Sequence, residues 1–278
     1  MVSISKGLAG IVTALILGCS GNNAQMERKI SSPACQKPAI TDASNTVHAK
    51  HRLNVKNESP AEINRILSTL ERVPDPLQKI VNDYGATVVI FDGVITDNES
   101  MGYWKGVQIP KWSEGKTYDI LPGAYSRGYK EALVHQKPSP GSHGSVSLEL
   151  HEYGHAAAYA LGELVDLPEV SDVPYFVSVH KDSRKYENPD GSLRMSNYGY
   201  NYRDEFFAES FAKFYSSSET KDKLREDFPE TYSFLLILEK LAADGSFANL
   251  NKLDYGGNKP HSVEYQKGDA PQGKCVVY

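Results

Sequence analysis

One stretch of sequence decides the fold of this chain: residues 145–161, which read SVSLELHEYGHAAAYAL. The pattern is helical and apolar on both sides of a polar centre, and Gly162 follows as a helix end. Within it, His151 and His155 lie four positions apart. Side chains at this spacing share one face of a helix, so the stretch predicts a helix that presents two imidazoles side by side.

The motif His151-Glu152-Tyr153-Gly154-His155 has the residue types that a catalytic zinc site needs. Both imidazoles can direct a ring nitrogen at the same ion. Glu152 follows the first histidine and can act as a general base on a water held there. The motif therefore predicts hydrolysis of a peptide bond with one zinc ion per chain.

A catalytic zinc site has a third protein ligand and leaves the fourth position to water. The metzincin extension is excluded, because Ala158 and Leu161 stand where it requires glycine and histidine. The thermolysin-type arrangement is excluded as well, because Tyr175 stands where it has a glutamate. Glu163 and Glu169 stay open as nearby alternatives.

A second predicted helix, around Asp204–Ser216, offers better candidates for this ligand. Glu205 and Glu209 lie one helical turn apart in it. An apolar stripe runs beside them, formed by Phe207, Ala208, Phe211 and Ala212. Carboxylates next to such a stripe favour a helix packed against the histidine helix over a solvated acidic face.

These segments together resemble a known family. The motif at 151–155, Tyr198 and the run Glu205-Phe206-Phe207-Ala208-Glu209-Ser210-Phe211 are similar to the catalytic domain of anthrax lethal factor and its relatives, which include secreted Pro-Pro endopeptidases. The resemblance is strongest over residues 145–215. It implies a zincin-like domain with an extended peptide substrate along an edge strand.

The resemblance also implies roles for single residues. Glu205 would be the third zinc ligand, and Tyr198, seven residues earlier, would donate its hydroxyl to the tetrahedral intermediate of the substrate. Glu209 would accept a hydrogen bond from a ligand histidine, with a surface position as the alternative. The remaining histidines, His180 among them, are predicted to lie at the surface.

Coarse patterns across the chain favour an α+β fold, with a small N-terminal mixed sheet and a helical C-terminal lobe. Strands or extended segments are predicted at 86–91, 94–96, 118–121 and 132–135. Helices are predicted from Pro60 onward, at 75–84 with Gly85 as the stop, and later at 204–216, 220–226 and 229–243.

The first 18 residues have the features of a signal peptide, with Lys6 ahead of an apolar run at 7–17. The sequence Ile16-Leu17-Gly18-Cys19 resembles the lipobox of bacterial lipoproteins, which implies a lipid on Cys19. The polar residues that follow predict a flexible tether over 19–56. The catalytic domain is then expected over 57–278. The expected location is the outer face of a bacterial cell membrane, or the medium after release.

Charge and cysteine content narrow the possible partners. With 30 basic and 35 acidic residues, the net charge is −5, and no long basic run is present, which argues against nucleic acid. Cys35 and Cys275 can form a disulfide or remain free thiols. We expect a monomer that acts on peptides. The alternative is a catalytically silent, zinc-containing surface lipoprotein or a toxin-related component.

Overall fold

The structure is a computed structural model that describes residues 49–109, 115–138, 144–183, 194–248 and 250–253. Within these ranges, one mixed sheet has the strand order β1-β2-β4-β3. Its strands are β1 (His51–Asn54), β2 (Thr87–Phe91), β3 (Gly123–Ser126) and β4 (Glu131–His135). Both β1 and β4 run parallel to β2, and β3 lies antiparallel to β4 at one edge.

Helices make up most of the remaining described residues. Two of them precede β2, namely α1 (Pro60–Leu70) and α2 (Asp75–Tyr84). After the sheet come α3 (Leu148–Glu163), α4 (Pro174–Ser183), α5 (Asn197–Asn201), α6 (Arg203–Ser216), α7 (Ser218–Asp227) and α8 (Pro229–Asp244). This confirms the α+β class. None of the helices in the described ranges combines the length and the apolar character needed to cross a membrane.

The two central strands of the sheet are buried on both faces, as is usual for parallel strands. On one face, Val88 and Ile90 of β2 belong to the core that also contains α3. On the other face, Val89 and Phe91 pack with Ile95. The sheet thus supports the histidine helix on one side and a segment of short 3-10 turns on the other.

Several predicted elements are confirmed, and each has a local signal. Proline stands in the first turn of α1, of α2 and of α8, where its missing N–H costs nothing. Gly85 ends α2 in the left-handed conformation, with φ of 90°. The Ser147 side chain caps α3 by accepting from Leu150 N at 3.3 Å.

Two predicted extended segments are wrong. Residues Ile95–Asp97 and Tyr118–Ile120 form single turns of 3-10 helix, and the next strand begins only at Gly123. Side-chain hydrogen bonds account for the difference at both places. Asn98 Nδ2 donates to Ile95 O at 2.9 Å, and the Asp119 carboxylate accepts from the hydroxyls of Thr96 and Thr117.

The predicted boundary of the tether also needs correction. The strand β1 lies at His51–Asn54, inside the segment 19–56 that was predicted to be a tether, and it pairs with β2. The folded domain therefore begins before residue 57. The predicted signal peptide, Cys19, Cys35 and Cys275 lie outside the described residues.

Candidate metal centre

Three predicted ligands converge between α3 and α6. The Nε2 atoms of His151 and His155 are 3.3 Å apart, and Glu205 Oε2 lies 3.1 Å from the first and 3.6 Å from the second. Among the described residues, these side chains form a group whose donor atoms all lie within 4.8 Å of one another. The structure therefore brings together His151, His155 and Glu205 as predicted.

A close approach of two helices makes this convergence possible. A Cβ atom on Gly154 of α3 would lie 3.2 Å from both Ala208 Cα and Phe211 Cβ of α6. The glycine inside the histidine motif therefore lets the backbone of α6 come near. Phe207 and Phe211 are buried on the side of α6 that belongs to the core with α3.

The electrostatics of the three groups are mutually supportive. Burial by itself would raise the pKa of Glu205, but the neighbouring His155 and His151 outweigh it and lower the pKa well below its ordinary value. Burial would likewise lower the pKa of His155, but Glu205 outweighs it and raises this pKa to about 9. Two imidazole nitrogens and one carboxylate oxygen, all poorly exposed, are a donor set that fits zinc.

Glu152 lies beside this group, on the side that faces the edge strand. It is 3% exposed, and burial raises the pKa of its carboxyl to about 7, against the opposing effect of His151 and His155. A Cβ atom on Gly123 of β3 would lie 3.0 Å from Glu152 Oε1 and 2.9 Å from Leu133 O. A glycine is therefore required at the start of β3.

Sequence reasoning missed this role of Gly123. The only signal was the dipeptide Pro122-Gly123, which indicated a turn. It also missed Tyr125, two residues along β3, whose ring stacks on that of His155 with centroids 6.5 Å apart. Residues 123 and 125 of β3 thus both border the candidate centre, because alternate side chains of a strand share one face.

The two alternative ligands lie elsewhere. Glu163 is exposed at the end of α3. The Glu169 carboxylate accepts a hydrogen bond from the Ser171 hydroxyl at 3.0 Å and forms another with the side chain of Tyr159. Neither residue belongs to the three-donor group described above.

The remaining predicted site residues meet around α5. The backbone of Tyr198 lies in this five-residue helix, and its side chain is not among the parts of the chain that the structure describes. Glu209 is 5% exposed, and its described hydrogen bonds go to Ser196, just before α5, so the predicted bond to a ligand histidine stays a prediction. His180, which was predicted to lie at the surface, is partly buried, and its Nε2 atom contacts the carbonyl groups of Gly199 and Tyr200.

Comparisons with known proteins agree with this architecture. The family model described as "Anthrax toxin lethal factor, N- and C-terminal domain" matches residues 47–238. A Pro-Pro endopeptidase of Clostridioides difficile (strain 630) is 33% identical over 188 residues, which span 66% of this chain and 77% of that protein.

A second relative comes from Paenibacillus alvei. This Pro-Pro endopeptidase is 28% identical over 172 residues, which span 61% of this chain and 73% of that protein. A solved structure of a Pro-Pro endopeptidase from Paenibacillus alvei matches the fold with a TM-score of 0.58 at 26% identity. The match covers 68% of this chain and 96% of the solved one.

Proposed function

Because the chain belongs to the anthrax toxin lethal factor family, we propose that it is a zinc-dependent endopeptidase with its active site between α3 and α6. The observation that carries this proposal is the convergence of His151, His155 and Glu205 next to a buried Glu152. Three donor atoms that could hold a metal therefore lie beside a residue that could act as a general base.

Each residue receives one task in this proposal. His151, His155 and Glu205 hold the metal, which when bound supplies a Lewis acid for the scissile carbonyl and makes a nearby water more acidic. Glu152 takes the proton from the attacking water and passes it to the leaving amine. Tyr198 donates its hydroxyl to the oxyanion that develops on the substrate.

The substrate that we propose to test first is a peptide with a Pro–Pro bond. The support comes from the two relatives that are called Pro-Pro endopeptidases, each of which is matched over more than two thirds of its own length. The edge position of β3, next to Glu152, also suits an extended peptide, because a strand at the edge can pair with a further chain.

We further propose that a lipid on Cys19 holds the enzyme at the outer face of the cell membrane, where it acts as a monomer. The support is the sequence Ile16-Leu17-Gly18-Cys19 alone. Cys19→Ala should move the protein from the membrane fraction to the soluble fraction, while Cys35→Ala should leave it in place. An unchanged distribution for Cys19→Ala would count against the lipid.

The main test measures zinc content and peptide cleavage by the full chain. We expect cleavage of a Pro–Pro peptide that a chelator abolishes and added zinc restores. Glu152→Gln should keep zinc and lose activity by about 10²- to 10⁴-fold, the usual contribution of a general base. Glu205→Gln should bind zinc more weakly, because it loses a ligand.

The matched control is Glu163→Gln, an exposed glutamate at the end of the same helix, which should resemble the wild type. Full activity of Glu152→Gln, or full zinc affinity of Glu205→Gln, would refute the assignment of that residue. Zinc binding without cleavage of any peptide in a broad library would favour a surface binding protein instead.

A further inference from the structure

The short helix α5 is held against α6 through one buried carboxylate. Ser196, the residue before α5, donates from its backbone N to Glu209 Oε2 at 3.2 Å and from its hydroxyl to Glu209 Oε1. The same hydroxyl accepts from Gly199 N at 3.0 Å, inside α5. Ser196 therefore connects Glu209 of α6 to the backbone of α5.

The glycine in α5 makes room for this contact. A Cβ atom on Gly199 would lie 3.1 Å from Glu209 Oε1 and 3.0 Å from Met195 Cγ. Both distances are shorter than ordinary contacts, so a larger residue at 199 would push α5 and Glu209 apart. The fit between the two is therefore close.

Contacts from two further side chains fix the same segment. His180 of α4 places its Nε2 atom 3.1 Å from Tyr200 O and 3.3 Å from Gly199 O, and donates to these carbonyl groups. Lys213, one turn after Glu209 on α6, donates to Arg194 O at 2.8 Å. The segment 194–201 is thus held from both α4 and α6.

A helix of five residues needs such support, because helices shorter than about 12 residues are marginal on their own. Part of this support comes from α6, which also carries Glu205 four residues before Glu209. One rigid helix therefore bears both a proposed metal ligand and the residue that locates α5. A shift of α5 relative to Glu205 would require the bonds to Ser196 to break.

From this geometry we infer that Glu209, acting through Ser196, is a positioning residue that fixes α5 and with it Tyr198 relative to the metal centre. This inference rests on the proposed function, in which Tyr198 takes part in catalysis. It assigns to Glu209 a different task from the orientation of a ligand histidine. The two tasks are separable, because only the second predicts a large loss of metal affinity when Glu209 or its partner changes.

The test uses Ser196→Ala, which removes the connecting hydroxyl and leaves Glu209 in place. We expect kcat for peptide cleavage to fall about 10-fold, because a small misplacement of a reacting group slows the chemical step. KM and zinc affinity should stay unchanged. The control is Ser178→Ala in α4, whose hydroxyl donates to Pro174 O of its own helix. This control should match the wild type.

A double-mutant cycle shows whether Ser196 acts through Tyr198. In a Tyr198→Phe background, Ser196→Ala should cause no further loss of kcat, because the hydroxyl that it positions is already gone. Equal losses in both backgrounds would overturn the inference. So would a drop of 10-fold or more in the zinc affinity of Ser196→Ala or Glu209→Gln, the effect typical of residues that orient a ligand.

Hydrogen exchange keeps the inference testable if the chain cleaves no peptide. In the metal-free protein, Ser196→Ala and Glu209→Gln should speed amide exchange in residues 197–201 and leave α3 unchanged. Unchanged exchange in that segment would refute the positioning role. If only the proposed function fails, the wild type cleaves no peptide, while the two variants still show faster exchange in residues 197–201 than the wild type does.

Discussion

Two regions that pack on opposite faces of the sheet are built in different ways. One is the pair of helices α3 and α6, in which apolar side chains such as Phe207 and Phe211 are buried around Gly154. The other is the segment between β2 and β3, where the described residues form short turns. Packing of side chains holds the first region, and hydrogen bonds of polar side chains hold much of the second.

Asp119 shows how the second region is held. Its carboxylate accepts from the hydroxyls of Thr96 and Thr117 and from Gly106 N at 2.9 Å. These partners come from three separate places in the segment. A regular apolar pattern therefore specifies the two helices of the candidate site, while contacts between separate polar residues specify the turns on the other face of the sheet.

The largest expected difference in stability comes from truncating one aromatic residue in each region. Phe211→Ala should lower the free energy of unfolding by about 3–5 kcal/mol, because this ring is 1% exposed and leaves a cavity. Tyr118→Ala should cost about 1 kcal/mol, the scale of its ring contact with Trp104.

Urea denaturation of the metal-free proteins measures both values, so that metal binding does not contribute to stability. Equal losses for the two variants would show that packing holds both regions alike.

Glycine substitutions in the two regions should change the stability by smaller amounts. Gly162→Ala should destabilise by about 1–3 kcal/mol, because its Cβ atom would lie 2.6 Å from Glu169 Cα. Gly154→Ala should cost less, since its nearest contacts, at 3.2 Å, are longer than the one at Gly162. Gly102→Ala in the turn segment should be nearly neutral, with its nearest contact at 3.7 Å.

Thermal unfolding of the three variants ranks these costs. A greater loss for Gly102→Ala than for Gly162→Ala would mean that the turns are packed more tightly than the helices.

The smallest expected effect concerns pH. Hydrogen bonds from Thr96 and Thr117 lower the pKa of Asp119 below its ordinary value. Its contribution to stability is therefore present above the ordinary pKa and is lost as the pH falls through the lowered one. Asp119→Asn should flatten the dependence of unfolding free energy on pH below about pH 5.

The charged neighbour of this group is Lys105, whose own pKa is raised first by its bond to Asp97 and also by Asp119. Asp97→Asn serves as the matched control for a lost carboxylate near this lysine. The same slope in Asp119→Asn and the wild type would remove Asp119 as a determinant of the turns.

The sequence predicted the helices of the site correctly and the turns between β2 and β3 wrongly. The histidine helix and the Glu205 helix have a local signal, namely helical spacing, and both were predicted, whereas the cap at Ser147 was not. The turns at Ile95–Asp97 and Tyr118–Ile120 were predicted as extended, because a few β-branched or aromatic residues give no reliable period. Their conformation depends on partners up to 23 positions away.

At the candidate site, the donor atoms were predictable and their surroundings were not. The spacing of His151 and His155 and the family resemblance were enough to select Glu205. Nothing in the sequence signalled that Gly123 approaches Glu152 or that Glu209 bonds to Ser196, because both contacts join separate elements. The helices α4 and α5 were also not predicted, and α5 is only five residues long.

The edge position of β3 carries a risk for the protein as well as an opportunity. Its sheet partner among the described residues is β4, so its other side can accept any extended chain, including a second copy of this protein. The strand is only four residues long, and the charged residues Arg127 and Lys130 follow it. Short length and nearby charge are common defences against aggregation, so the same edge can stay open to a peptide and closed to self-association.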